Sequence, residues 1–126
     1  MPADPQFSIP ARPERRYPHG GGVEYEGGTV FGLHPRPDRS TDRLAALVER
    51  TLDDGPYRWG DFFDLPMPLY LVRDEETADV FRVSVRDGVV RMHVLPETDS
   101  AGLRALYRRL DERSDLDWRV RCDADG

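Results

Sequence analysis

The sequence contains no lysine: all 18 of its basic residues are arginine. No phosphate loop and no Rossmann glycine pattern is present, so the common nucleotide-binding signatures are excluded. Cysteine occurs once, as Cys122, which rules out an internal disulfide and points to a reducing compartment or to no need for cross-links. No apolar run approaches the roughly 18 residues of a membrane span. The stretch Met1–Pro18 lacks the apolar segment of a signal peptide. Cytoplasm is the expected location, with no membrane partner. Hydrophobic residues make up 38% of the chain, enough for one modest core.

Acid is plentiful. Asp and Glu total 24, and the formal net charge is −6. Arginine in place of lysine is what a GC-rich genome encodes. Abundant Asp, little Lys and a low isoelectric point also mark proteins that stay soluble in high salt. A halophile and a GC-rich bacterium both fit. A net acidic chain does not attract nucleic acid as a whole molecule, although a local basic surface can.

Residues 1–22 read as a flexible Pro/Gly-rich arm, with prolines at 2, 5, 10, 13 and 18 and three glycines at 20–22. Phe7, Ile9 and Tyr17 are its candidates for docking. Residues 23–126 read as a single domain. Val23–Glu26 and Thr29–Leu33 flank Gly27-Gly28 and suggest a two-residue hairpin. His34-Pro35-Arg36-Pro37 reads as extended linker. A helix follows, capped by Ser40 or Thr41, striped by Leu44, Leu47, Val48 and Leu52, and ended by Gly55-Pro56 with Gly55 in a left-handed position. Tyr57–Pro68 reads as an aromatic loop.

The clearest signal is Asp87-Gly88 between Val80–Arg86 and Val89–Leu95. A two-residue turn there sets Arg86 opposite Val89, Val85 opposite Val90, Ser84 opposite Arg91, Val83 opposite Met92 and Arg82 opposite His93. That register places Phe81, Val83, Val85, Val90, Met92 and Val94 on one face. A preceding strand spans Leu69–Arg73, with a turn at Asp74–Ala78. A second helix runs from about Asp99 to Arg113, capped by Thr98 or Ser100 and striped by Leu103, Leu106, Tyr107 and Leu110. A last strand, Leu116–Cys122, turns Trp118, Val120 and Cys122 one way and Arg119 and Arg121 the other. The predicted fold is α+β, a two-layer sandwich of a mostly antiparallel sheet with two helices on one face, in the order ββ-α-βββ-α-β.

The polar face of this sheet carries the candidate site: Arg82, Arg86, Arg91 and His93 from the hairpin, with Arg119 and Arg121 if the last strand joins the same sheet. Ser84 shares the face. Arginine binds carboxylate or phosphate bidentately, so the cluster is suited to an anion or an acidic partner. Solvent-facing strand positions must also be polar in any protein, and Glu24 and Glu26 could neutralise the cluster from an adjacent strand. Stacking aromatics of an RNA-binding sheet are scarce, with only Tyr70 a candidate. Val89, Leu95 and Val72 read as apolar members of the face, which favours a protein partner or a homodimer over nucleic acid.

Other constellations are weaker. His19-Gly20-Gly21-Gly22 resembles an oxyanion-hole stretch but has no Gly-x-Ser-x-Gly elbow with it. His19, His34, His93 and Cys122 match no metal-site spacing, and no metal or other cofactor is expected. Asp61 and Asp64 flank Phe62-Phe63 and could do acid/base work or hold Mg²⁺, although loop acids usually cap turns or face water. Cys122 reads as a small buried hydrophobe. By composition, and in the segments Leu69-Tyr70-Leu71-Val72-Arg73 and Val94-Leu95-Pro96-Glu97, the chain resembles short uncharacterised haloarchaeal proteins. That resemblance implies a cytosolic, high-salt setting and no activity. The leading expectation is a non-enzymatic module that binds an acidic protein, its own copy or a nucleic acid through the arginine face. The alternative is a small enzyme or ligand-binding protein with a site at the aromatic loop 57–68, where Asp61, Asp64 or His34 would converge.

Overall fold

Strict alternation on both sides of Asp87-Gly88 closes a hairpin with both turn residues at positive φ, 53° and 72°, the type I′ geometry that fits strand twist. The computed structural model describes residues 7–10, 14–16, 24–26, 28–61 and 68–125. Its elements are β1 (Glu14–Arg16), β2 (Glu24–Glu26), β3 (Gly28–Arg36), α1 (Thr41–Asp54), β4 (Tyr57–Asp61), β5 (Leu69–Asp74), β6 (Val80–Arg86), β7 (Val89–His93), α2 (Ser100–Glu112) and β8 (Asp117–Asp125). The β6–β7 register is the one that the two-residue turn requires, from Arg86 opposite Val89 to Arg82 opposite His93.

One antiparallel six-stranded sheet forms in the order β4-β5-β6-β7-β3-β8, and β1 pairs with β2 separately. Both helices cover one face of the large sheet, so the architecture is the expected two-layer α+β sandwich. Leu44, Val48 and Leu52 of α1 and Leu103, Leu106 and Leu110 of α2 meet Phe31, Leu33, Val72, Phe81, Val83, Val85, Val90 and Met92, all essentially inaccessible to water. Each such side chain contributes about 1.5–3 kcal/mol on burial.

Three local readings are corrected. Among the described residues β2 pairs with β1 and not with β3, so the hairpin expected at Gly27-Gly28 is not seen. β3 pairs with β7 on one side and β8 on the other, so it has no edge left for β2. His34-Pro35-Arg36 is not linker but the end of β3, paired with Arg119, Trp118 and Asp117. Pro35 is tolerated there because the ladder to β7 stops at Leu33, leaving β3 a single neighbour. Tyr57–Asp61 is an edge strand rather than loop: Tyr57 and Trp59 alternate with Arg58 and Gly60 against β5. With β1 these account for the two strands added to the expected order.

The helix ends show how the sequence fixes the layers. Ser40 caps α1 by accepting from the Arg43 amide at 3.2 Å. Gly55 is extended, at φ −95°, not left-handed. Glycine is needed there for space, because a Cβ would lie 2.6 Å from the Tyr57 ring. Tyr57 in turn accepts from Arg109 of α2 at 2.7 Å, and its hydroxyl pKa is raised, chiefly by burial. Asp99 caps α2, while Thr98 is buried and bonds Val80 and Leu95. The stronger anchor is Asp79, 3% exposed, in the β5–β6 turn. Its carboxylate accepts from the Val80, Asp99 and Gly102 amides at 2.9, 2.8 and 3.2 Å. Burial pushes this carboxyl above its ordinary range, against the pull of those three donors. From the arm, Phe7 is buried edge-on against Phe31 at 5.1 Å, and Ile9 packs beside the core.

Candidate functional site

Residues opposite one another in an antiparallel ladder share a side of the sheet, so the ladders define the open face row by row. One row reads Leu71, Arg82, His93, Val30, Asp123. The next reads Leu69, Ser84, Arg91, Gly32, Arg121. Arg86 lies opposite Val89, and His34 opposite Arg119. The last strand does join the hairpin's sheet, but through β3. Arg82, Arg86, Arg91, His93, Arg119 and Arg121 therefore share a face, with β3 inserted between the hairpin residues and those of β8. Sequence reasoning missed what β3 contributes there: Val30, Gly32 and His34.

Gly32 separates two arginines. With strands about 4.8 Å apart, Arg91 and Arg121 stand about 10 Å from each other across it. A Cβ on Gly32 would lie 3.2 Å from His34 Nε2, so the His34 imidazole leans over the space that glycine leaves. Arg119 and Arg121 are exposed and Arg91 is half-buried. Arg91 donates to the Arg86 carbonyl at 3.2 Å. Arg86 makes a loose surface pair with Asp87 at 3.6 Å, a contact of little energetic value. Among the described residues no carboxylate lies within ion-pairing distance of Arg91, Arg119 or Arg121.

His93 does not add to the positive charge at neutral pH. Burial lowers its pKa, and Arg82 and Arg91 lower it further. Shedding its proton also removes the like-charge conflict with Arg82 across the ladder. Its Nε2 is 2.7 Å from Ser84 Oγ. A Ser–His pair invites a nucleophilic reading, but Ser84 is 3% exposed. Among the described residues no carboxylate bonds the other ring nitrogen, and an oriented base needs that third group. The pair links β6 to β7 across the open face.

The rings of the sheet turn to the helix layer. Tyr70 is 1% exposed and donates to Glu49 at 3.1 Å, so it is no stacking platform. Trp59 stands edge-on to Tyr70, and Trp118 bonds Ser114. Val72 also belongs to the core side, contrary to the sequence reading. Among the described residues the apolar members of the open face are Leu69, Leu71, Val30, the half-buried Val80 opposite Arg73 and the nearly buried Val89; Leu71, at 39% exposure, is the most exposed large hydrophobic side chain there.

Cys122 is exposed, not buried, because β8 is the outermost strand. Its thiol pKa is raised, by partial burial and then by Asp123, so it is no activated nucleophile. His34 borders an open cavity of about 430 Å³ with Asp38, Arg39 and the β6–β7 turn. It lies four strand spacings from β4, so His34 and Asp61 do not converge. Asp64, the rest of segment 62–67 and His19–Gly22 fall outside the described residues. No group of three or more potential metal ligands occurs among the described residues, and no helix there is long and apolar enough to cross a membrane. No family model, curated protein or solved structure matches the chain.

Proposed function

We propose that the protein is a non-enzymatic interaction module whose open sheet face docks an acidic segment of a partner protein. The observation that carries this is the row Arg91–Gly32–Arg121: two guanidinium groups flank a position without a side chain, and no described carboxylate neutralises them. A carboxylate over that position, bordered by the His34 ring, would meet a forked donor on either side. Leu69, Leu71 and Val30 supply apolar contact beside it. Among the described residues the face carries no Phe, Tyr or Trp ring, and the chain is net negative, so a nucleic acid is less well matched. The Asp-rich, lysine-free composition supports a high-salt cytoplasm as the setting. There, apolar contact sustains binding that screened charges alone would not.

The test is anisotropy titration of a labelled peptide of alternating glutamate and leucine, beside a single-stranded RNA oligomer, over a range of salt. The peptide should bind, and Arg91→Glu/Arg121→Glu should weaken it at least tenfold. Equal peptide binding by wild type and variant would sink the reading. Tighter binding of the oligomer, with a steep salt dependence, would replace it with a nucleic-acid role.

A further inference from the structure

Strand β8 is bonded to β3 along its whole length, from Arg36 opposite Asp117 to Gly28 opposite Asp125. Its outer edge pairs with no strand among the described residues. Proteins usually blunt such an edge with proline, charged side chains, a bulge or a very short strand, and of these β8 has only charges, of both signs. β8 has nine residues and contains no proline, glycine or lysine. The opposite edge, β4, has five residues and a glycine.

The charge order of β8 is unusual. Counting outward from Cys122, Arg121 and Arg119 lie on one side and Asp123 and Asp125 on the other, at matching steps. The sequence is antisymmetric in charge about its cysteine. Two antiparallel copies of such a strand complement each other. We propose that β8 pairs with β8 of a second copy about a two-fold axis at Cys122, joining two six-stranded sheets into one continuous sheet.

Register decides the matter. Continuing the sheet requires open-face residues to meet open-face residues, so allowed registers centre on a single residue of β8. Centred on Val120, Arg119 meets Arg121 and Asp117 meets Asp123, all like charges. Centred on Arg121, Arg119 meets Asp123, but Arg121 meets itself and Asp117 meets position 125. Centred on Asp123, that residue meets itself and Arg119 passes the end of the strand. Only the Cys122 centre sets Arg121 opposite Asp123 and Arg119 opposite position 125 in both directions, with no like pair. On the helix side it sets Val120 opposite Ala124 and Cys122 opposite itself. Cys122 and Ala124 are exposed and Val120 half-buried, so a second copy gives this row the cover that the helices do not. Cα atoms directly opposite in such a ladder lie about 4.5–5.5 Å apart, within the range a disulfide spans. The antisymmetry singles out an identical strand as occupant, since an unrelated one has no reason to carry the same order reversed. Self-pairing engages Arg121, which the acidic-segment reading also uses, but it does not rest on that reading, because the bare β8 edge and its charge order carry it.

Sedimentation velocity tests it with three samples. Wild type should dimerise. Arg121→Asp and Asp123→Arg should each weaken the dimer at least tenfold, because each brings like charges together. An equal mixture of the two variants should recover it as a heterodimer. There the aspartate introduced at position 121 of one chain faces the arginine introduced at position 123 of the other, and the unaltered Asp123 and Arg121 face each other. Both positions are exposed, and circular dichroism checks that each variant folds. Diamide, which takes up the two thiol hydrogens, should cross-link wild type through Cys122 but not Val120→Cys/Cys122→Ser, whose cysteines fall four residues out of step. A monomeric wild type, a dimer indifferent to Asp123→Arg, or no recovery on mixing would overturn the proposal. Unchanged acidic-peptide binding by Asp123→Arg would show that the two readings stand or fall separately.

Discussion

Replacing Asp79 by alanine tests how α2 is fastened to the sheet. The carboxylate accepts from three backbone amides, and two of the bonds, to Asp99 and Gly102, tie the β5–β6 turn to the start of α2. Asp79 is 3% exposed and Gly102 is buried, so water does not readily replace the lost acceptor. A buried donor left unpartnered costs about 1–3 kcal/mol. The buried Gly102 amide, the part-buried Asp99 amide and the adjacent Val80 amide, weighted lightly, give a loss of about 3 kcal/mol. That is a large fraction of the roughly 5–15 kcal/mol that holds a domain folded. With a urea slope of about 1–2 kcal/mol per molar, the unfolding midpoint should fall by about 2–3 M. Asp79→Asn is the control. It keeps one oxygen for Val80 and Asp99 but turns an amide N–H₂ toward the Gly102 N–H, so its loss should be about half as large. Gly102→Ala should be comparably damaging, because the new Cβ would run into Asp79 Oδ2 and lie 2.5 Å from the Asp79 Cβ. The Cβ–Cβ distance means that Asp79→Ala does not rescue Gly102→Ala. A loss below about 0.5 kcal/mol for Asp79→Ala, the range of ordinary surface substitutions, would refute the reasoning.

Two further outcomes follow from the same structure. The folded-state pKa of His93 is lowered, so the unfolded chain binds its proton more readily. The stability this residue protects is whole above about pH 6.5 and is lost as pH falls toward the folded value. The difference in unfolding free energy between neutral and mildly acid pH should therefore shrink in His93→Gln; an unchanged difference would contradict the pKa direction. Tyr57→Phe removes the acceptor for Arg109, which remains tied to Glu76 at 3.2 Å, and should cost about 0.5–1.5 kcal/mol in urea unfolding.

What the sequence reveals depends on how local the signal is. The β6–β7 hairpin is legible because a two-residue turn and a period-two pattern agree on one register. The helices are legible from stripe and cap, apart from the reason for Gly55, which is the proximity of the Tyr57 ring. Gly27-Gly28 gives an equally local hint that fails, because distant strands claim both edges of β3. Pro35 hides the last part of that strand's pairing, and the aromatics hide β4. In the candidate site, parity shows which arginines turn outward. It cannot reveal that β3 lies between β7 and β8, and so it misses Gly32 and His34. Asp79 is invisible for a similar reason: a turn aspartate looks ordinary until α2 arrives 20 residues later to use it.

The position of β3 also bears on how the chain is made. Both of its sheet neighbours, β7 and β8, lie far downstream, and β8 is the last of the strands. During synthesis the hairpin at Asp87-Gly88 can close as soon as it emerges, but β3 must wait with a bare edge until β8 follows. Assembly thus depends on contacts of long sequence separation, the kind that slow folding and expose strands to mispairing in the interval. Loss of β8 would leave β3, with its glycine and proline, as the new outer boundary of the sheet.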